Sequence, residues 1–247
     1  MKKNKNAWAA LTFFSLSFGL TFLWWNFAIS QAWLNRVASP EEIKYALMSD
    51  PQHVNAKTTY GWTGLMIAVD IGDIERVKLL LSYKADPNIV SDDLNKNTAL
   101  HMLCRKSFMS DLNIDIMKLL LDNGANIHAR DVYGREPLHW IGGISDPNFR
   151  TKVLDLLMRH GADLNAQDNN GDTPLNIMID FLWSRDASWF ASLFESYGDM
   201  INPALKNKKG ENSLDYAKVR NFIPIVKALC KTGKWSCTRS ERLGIFE

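Results

Sequence analysis

The 247-residue chain is 46% apolar and 23% charged without low-complexity tracts, which excludes a disordered or fibrous polypeptide. Its formal net charge of +2 is uneven: residues 1–36 carry four basic and no acidic side chains, 206–247 ten basic and four acidic, and 37–205 fifteen basic and twenty-three acidic. An acidic body with a basic end argues against nucleic-acid binding, which needs a continuous basic face.

Lys2, Lys3 and Lys5 precede a run from 7 to 35 with no charged residue. Its core, 7–29, is rich in Leu, Phe and Trp and exceeds the roughly 20 residues that cross a hydrocarbon layer of about 30 Å. Trp24 and Trp25 sit where an interfacial aromatic belt lies. The expectation is one membrane anchor. The alternative is a signal peptide cut near Gln31 after the small residues Ala28 and Ser30, although the stretch is longer than the ~7–15 residues of a signal core. Both alternatives leave the lysines in the cytoplasm and export everything after about residue 31.

Ser39-Pro40-Glu41-Glu42 is a helix start, with Ile43, Ala46 and Leu47 on one face. Without a preceding partner it reads as a half-unit capping a stack, where a polar outer face is expected. A recurring pattern follows. Thr63-Gly64-Leu65, Thr98-Ala99-Leu100-His101, Glu136-Pro137-Leu138-His139, Thr173-Pro174-Leu175-Asn176 and Asn212-Ser213-Leu214-Asp215 each open a helix. A second helix ends at Lys84-Ala85-Asp86-Pro87-Asn88, Gly124-Ala125-Asn126-Ile127-His128 and Gly161-Ala162-Asp163-Leu164-Asn165. Runs rich in Asn, Asp and Gly, such as 165–171, form turns between units. The predicted helix pairs are 63–70 and 74–82, 98–105 and 114–123, 136–142 and 149–160, 173–180 and 187–197, and 213–218 with 223–230.

In these motifs the chain resembles the ankyrin-repeat family over roughly residues 38 to 232. Three copies match well and two loosely. The resemblance implies an all-α repeat solenoid, an ankyrin-type stack of helix-turn-helix units with projecting hairpin turns, here preceded by one transmembrane or signal helix. The expected division is a leader and linker at 1–36, the repeat domain at 37–232 and a tail at 233–247. The steps between helix starts exceed the family period of about 33 residues. Much of the excess falls between paired helices at 106–113, 143–148 and 181–186, which predicts enlarged loops side by side along one edge. Tolerance of loop length accounts for them equally well.

No catalytic constellation or cofactor motif is present: no Gly-x-Ser-x-Gly elbow, no Gly-Lys-Ser/Thr phosphate loop, no His-Glu-x-x-His. His101 and Cys104 stand three apart, a metal-ligand spacing, but no Cys/His cluster supplies further ligands. The resemblance instead gives His101 and His139 a structural role, tying neighbouring turns together, and places Cys104 in the packed interior. Cys230 and Cys237, seven apart, either close a small loop in an oxidising compartment or remain reduced thiols.

The expected function is therefore non-enzymatic protein recognition by a membrane-tethered, exported stack, periplasmic if the host is bacterial. One version is an inhibitor or protective partner of an exported enzyme; the alternative is a secreted effector that binds a protein of another cell. In the family, hairpin tips and the exposed side of the first helices form a concave binding surface. Carried onto this sequence, the tips are Thr59, Tyr60 and Trp62; Leu94, Asn95 and Asn97; Val132, Tyr133 and Arg135; and Asn169, Asn170 and Asp172. Asp70, Arg105 and Lys106 add helix ends. Aromatics and arginine favour Tyr60, Trp62, Tyr133 and Arg135 as anchors, with Arg105 as a steering charge. The competing surface is the enlarged-loop edge with Trp183.

Overall fold

The computed structural model of the chain describes residues 39–182 and 186–243. Among these, no helix is long and apolar enough to cross a membrane. The expected anchor at 7–29 and the loop residue Trp183 lie outside the described residues.

The stack opens with α1 (Pro40–Ser49), fixed by a reciprocal cap in which the Glu42 amide donates to Ser39 Oγ and the Ser39 amide to Glu42 Oε2. Ile43 and Leu47 face the core, and a short 3-10 turn, Pro51–Asn55, follows. Helix pairs then repeat: α2 (Gly64–Ile71) with α3 (Ile74–Ser82), α4 (Ala99–Cys104) with α5 (Asp111–Asp122), a 3-10 helix (Pro137–Gly143) with α6 (Pro147–Arg159), α7 (Pro174–Leu182) with α8 (Ala187–Tyr197), and α9 (Ser213–Val219) with α10 (Ile223–Lys231). The described residues contain no named strand; one isolated bridge joins Lys57 and Thr63.

One apolar position recurs in each inner helix. Leu65, Leu100, Leu138, Leu175 and Leu214 are all buried, within a single cluster that runs from Ile43 to Trp235. Each unit thus covers its neighbour's face, the condition under which a repeat array is stable.

The structure departs from the sequence expectations at four places. α5 begins at Asp111 rather than near 114, because Asn113 Oδ1 takes the Ser110 amide and hydroxyl and pulls the start back. The inner helix of the third unit is 3-10. There the neighbouring α7 comes so close that a Cβ on Gly142 would lie 3.0 Å from the Met178 Cα. The cap helix α1 leaves Tyr45 and Met48 exposed, although a polar outer face was expected. The tail, which has no periodicity, buries Trp235 against Phe194 at 6.0 Å and forms a short helix, α11 (Arg239–Leu243).

Along the loop edge, the Ser145 amide donates to the Ser107 carbonyl at 2.8 Å, so two of the enlarged connections lie against each other. Arg150, only 1% exposed, donates to the Ile144 carbonyl and pairs with Asp186 at 3.0 Å, holding the third connection to the fourth. Burial lowers its pKa, with Asp186 acting against that.

Candidate protein-binding face

The same short-range chemistry builds every hairpin. One side-chain oxygen accepts two amides further along the turn: Thr58 from Tyr60 and Trp62, Asp93 from Asn95 and Lys96, Asp131 from Tyr133 and Arg135, Asp168 from Asn170 and Asp172, and Asn207 from Lys209 and Glu211. Successive hairpins are then joined by backbone bonds, Asp92 to Gly61 (3.2 Å), Val132 to Asn95 (3.0 Å), Asn169 to Tyr133 (2.9 Å) and Lys208 to Asn170 (2.8 Å). Gly61 and Gly134 have φ of 75° and 72°, and a Cβ on either would collide with Asp92 or Asn169 of the next hairpin. Glycine there answers both a left-handed backbone and a close approach.

This ladder projects side chains in a row. Tyr60 is 82% exposed and Leu94 92%, with Val132 and Tyr133 also exposed on the third tip. The fourth and fifth tips are polar, carrying Asn169 and Asn170, then Lys208 and Lys209. Trp62 is half-buried, its Nε1 donating to Asp93 at 2.9 Å across the first seam. Burial works against ionisation of Asp93, but hydrogen bonds from Trp62, Ser91 and the Asn95 and Lys96 amides outweigh it and hold this carboxyl below the usual range.

Further along, Arg105 reaches back along α4 toward Asn97 Oδ1 (3.4 Å) and lies over the Trp140 ring, 4.3 Å from its centre. Arg135 lies over the same ring at 4.8 Å and over Tyr133 at 5.5 Å, while its Nε donates to Asp168 at 3.1 Å. Trp140 Nε1 donates to Asp131, and the Phe181 ring stands 6.2 Å away. The structure thus brings Arg105, Tyr133 and Arg135 together around a tryptophan that sequence reasoning did not single out. Position 140 sits directly after the capping His139, where an apolar residue reads as core. A tryptophan with two arginines in the flanking turns was the available signal.

Lys106 donates to the Asp70 carbonyl at 2.7 Å, so these two expected site residues tie the first two inner helices together. Lys57 pairs with Asp92 at 2.7 Å beside the first tip. On the outer side, a shallow groove of about 290 Å³ between α5 and α6 has Ile114 and Leu156 in its lining. Four of its rim charges are paired, Lys152 with Asp111 and Lys118 with Asp115, and Asp155 accepts the Tyr197 hydroxyl.

The two capping histidines and the free cysteine are packed into the stack. His101 Nδ1 faces the Thr98 hydroxyl at 2.9 Å and Nε2 meets the Arg135 carbonyl at 3.0 Å, and burial lowers its pKa. His139 Nδ1 takes the Glu136 amide at 3.1 Å, and burial brings its pKa down to about 4. Cys104 is enclosed, and burial raises its thiol pKa. In the fourth unit Asn176 replaces the histidine and works through side chains, donating to Asp172 and accepting from Ser213 of the next unit.

Cys230 and Cys237 are joined by a disulfide. Among the described residues they form, with Glu241, the one group of side chains spaced to hold a metal. With the sulfurs bonded to each other and Glu241 paired with Lys218 at 2.6 Å, that trio has no thiolate to offer.

A family model described as ankyrin repeats (3 copies) matches residues 31–131. Among curated proteins, the chain is similar to the E3 ubiquitin-protein ligase KEG of Arabidopsis thaliana, 33% identical over 47% of this chain and 6% of that protein. It is similar to the probable 26S proteasome regulatory subunit p28 of Saccharomyces cerevisiae, 31% identical over 40% of this chain and 42% of p28. It also resembles human inversin, 37% identical over 28% of this chain and 6% of inversin. The matched part thus spans less than half the length of each of these relatives.

Proposed function

From the premise that this chain carries ankyrin repeats, which are protein-interaction modules, we propose that it is a non-enzymatic scaffold holding one protein partner on the hairpin tips and the inner-helix face of its first three units. The carrying observation is the row of exposed apolar tips, Tyr60, Leu94 and Tyr133, the last of them 6.4 Å from the ring of the arginine-flanked Trp140. Aromatic side chains and arginine dominate binding energy at protein interfaces, and here they are held by bonded hairpins. Asp70 and Lys106 border this face.

The proposal extends to location. Residues 7–29 anchor the chain in a membrane and the stack faces an oxidising space outside the cytoplasm; there it acts as an inhibitor or protective partner of an exported enzyme. The disulfide between Cys230 and Cys237 supports this, since such bonds persist mainly in oxidising compartments. The lysine-led apolar run supports the orientation.

Two experiments test the parts separately. Crosslinked capture from membranes is expected to lose its partner when Trp62 and Tyr133 are both changed to Ala in a chain whose circular dichroism is unchanged; retention of the partner contradicts the face. A reporter active only outside the cytoplasm, fused after Glu247, is expected to be active, and an inactive reporter contradicts the topology.

A further inference from the structure

The face around Trp140 carries an asymmetry of charge. Asp131 accepts the Trp140 indole and two backbone amides, and Asp168 accepts Arg135 and two amides. Lys57 is paired with Asp92, and Arg130 with Glu136 at 3.5 Å. Among the described residues, no carboxylate pairs with Arg105. Its guanidinium has one long hydrogen bond, 3.4 Å to the neutral Asn97, and rests on the indole. It is half-buried, so it has given up part of its hydration without gaining a counter-charge.

We infer that Arg105 is a receptor for a carboxylate on the partner: the bound protein places an Asp or Glu side chain on this guanidinium and an apolar side chain against Tyr133. This rests on the concave-face reading above and names the chemistry that the face selects.

Three physical points carry it. A guanidinium lying over an aromatic ring has its plane oriented, so its N–H fork is pre-arranged for the two oxygens of a carboxylate. Bonds from arginine to carboxylate are charge-assisted and directional, and they gain strength where water is displaced by surrounding apolar groups, here Trp140, Tyr133 and Phe181. Arg135, over the same ring, already holds Asp168, so an incoming carboxylate meets one unneutralised arginine rather than two and needs no ion pair to break.

The test uses random peptides displayed on phage and selected on the purified full chain. Selected peptides are expected to share an Asp or Glu at one position next to an apolar residue. Changing that residue to its amide should weaken binding about tenfold, the size of a charge-assisted contact. Arg105→Gln should weaken the acidic peptide equally and leave the amide peptide unaffected, with folding verified by circular dichroism. Arg105→Lys, which keeps the charge and loses the fork, should recover only part of the affinity, and Arg105→Glu should select Lys or Arg at the same position. Peptides that need Trp62 and Tyr133 but show no acidic position overturn the inference and leave the concave face standing. So does an acid-to-amide effect that is equal in wild type and Arg105→Gln. Peptides indifferent to Trp62→Ala and Tyr133→Ala overturn the face and the inference together.

Discussion

Asn88 is bonded to the turn that carries Asn126 one unit away: its Oδ1 accepts the Asn126 amide at 2.6 Å, and its Nδ2 donates to the Gly124 carbonyl at 2.9 Å. Asn55 and Asn165 repeat the first of these bonds, to Asp86 at 2.8 Å and Asn202 at 2.7 Å. The asparagine that ends one unit is thus the stitch to the next. At the corresponding place in the second unit His128 turns instead to Glu136, at 3.1 Å, within its own side of the seam.

Asn88→Ala removes two hydrogen bonds at an exposed seam and should cost about 1–2 kcal/mol. The local signature is faster amide exchange at Asn126. Unchanged exchange at Asn126 would show that the stitch does not form in solution.

The enclosed inner leucines make a larger prediction. Leu138 is fully buried between units, and Leu138→Ala should cost about 2–5 kcal/mol, judged by chemical denaturation. Because each unit is stabilised by its neighbours, the transition should also broaden. An unaltered midpoint would contradict the register.

Acid should weaken the stack through its buried histidines. His139 titrates near 6.5 when unfolded, whereas burial holds its folded pKa at about 4. As pH falls below about 6.5 the unfolded chain takes up the proton first, so stability is complete above that value and declines until about pH 4. This one group accounts for up to about 3 kcal/mol of that decline. His101, shifted in the same direction, adds to it. Urea midpoints measured between pH 7.5 and 4.5 check this, and His139→Asn, which copies the residue at position 176, should flatten part of the slope. A pH profile identical to wild type would contradict it.

The closing loop from Cys230 to Cys237 presses Trp235 into the end of the stack, assisted by Lys234, which pairs with Asp199 at 3.0 Å. Chain purified without reductant should show one titratable thiol when unfolded, that of Cys104. Replacing both partners with Ser should cost about 2–3 kcal/mol, the loop-closure value for so short a ring, and should expose Trp235 fluorescence to quenchers. Three titratable thiols would contradict the bond.

Much of the repeat stack could be read in the sequence because its signals are local. Thr63, Thr98 and Thr173 cap helices whose first leucine is buried, and Asp93, Asp131 and Asp168 fold their own hairpins. The candidate face was legible only in part. Tyr60 and Leu94 follow from turn position, but the gathering of Arg105, Arg135 and Trp140 depends on how three units pack. The 3-10 form of Pro137–Gly143 also escaped, because its Pro-Leu-His start is the same local signal that opens the α-helical units, and the close approach of α7 at Gly142 is a long-range contact. The order of the tail comes from a long-range contact, Trp235 on Phe194, that no periodicity announces.

The central claim, that a partner sits on the hairpin-tip face, is tested most directly by where the partner touches the chain. A photo-activated crosslinking residue can be placed in the full chain at Tyr60, at Tyr133, or at Phe108, which is 85% exposed on the enlarged-loop edge. The expected result is a partner adduct from positions 60 and 133 and none from 108. An adduct from 108 with none from 60 or 133 would move the site to the loop edge and contradict the account.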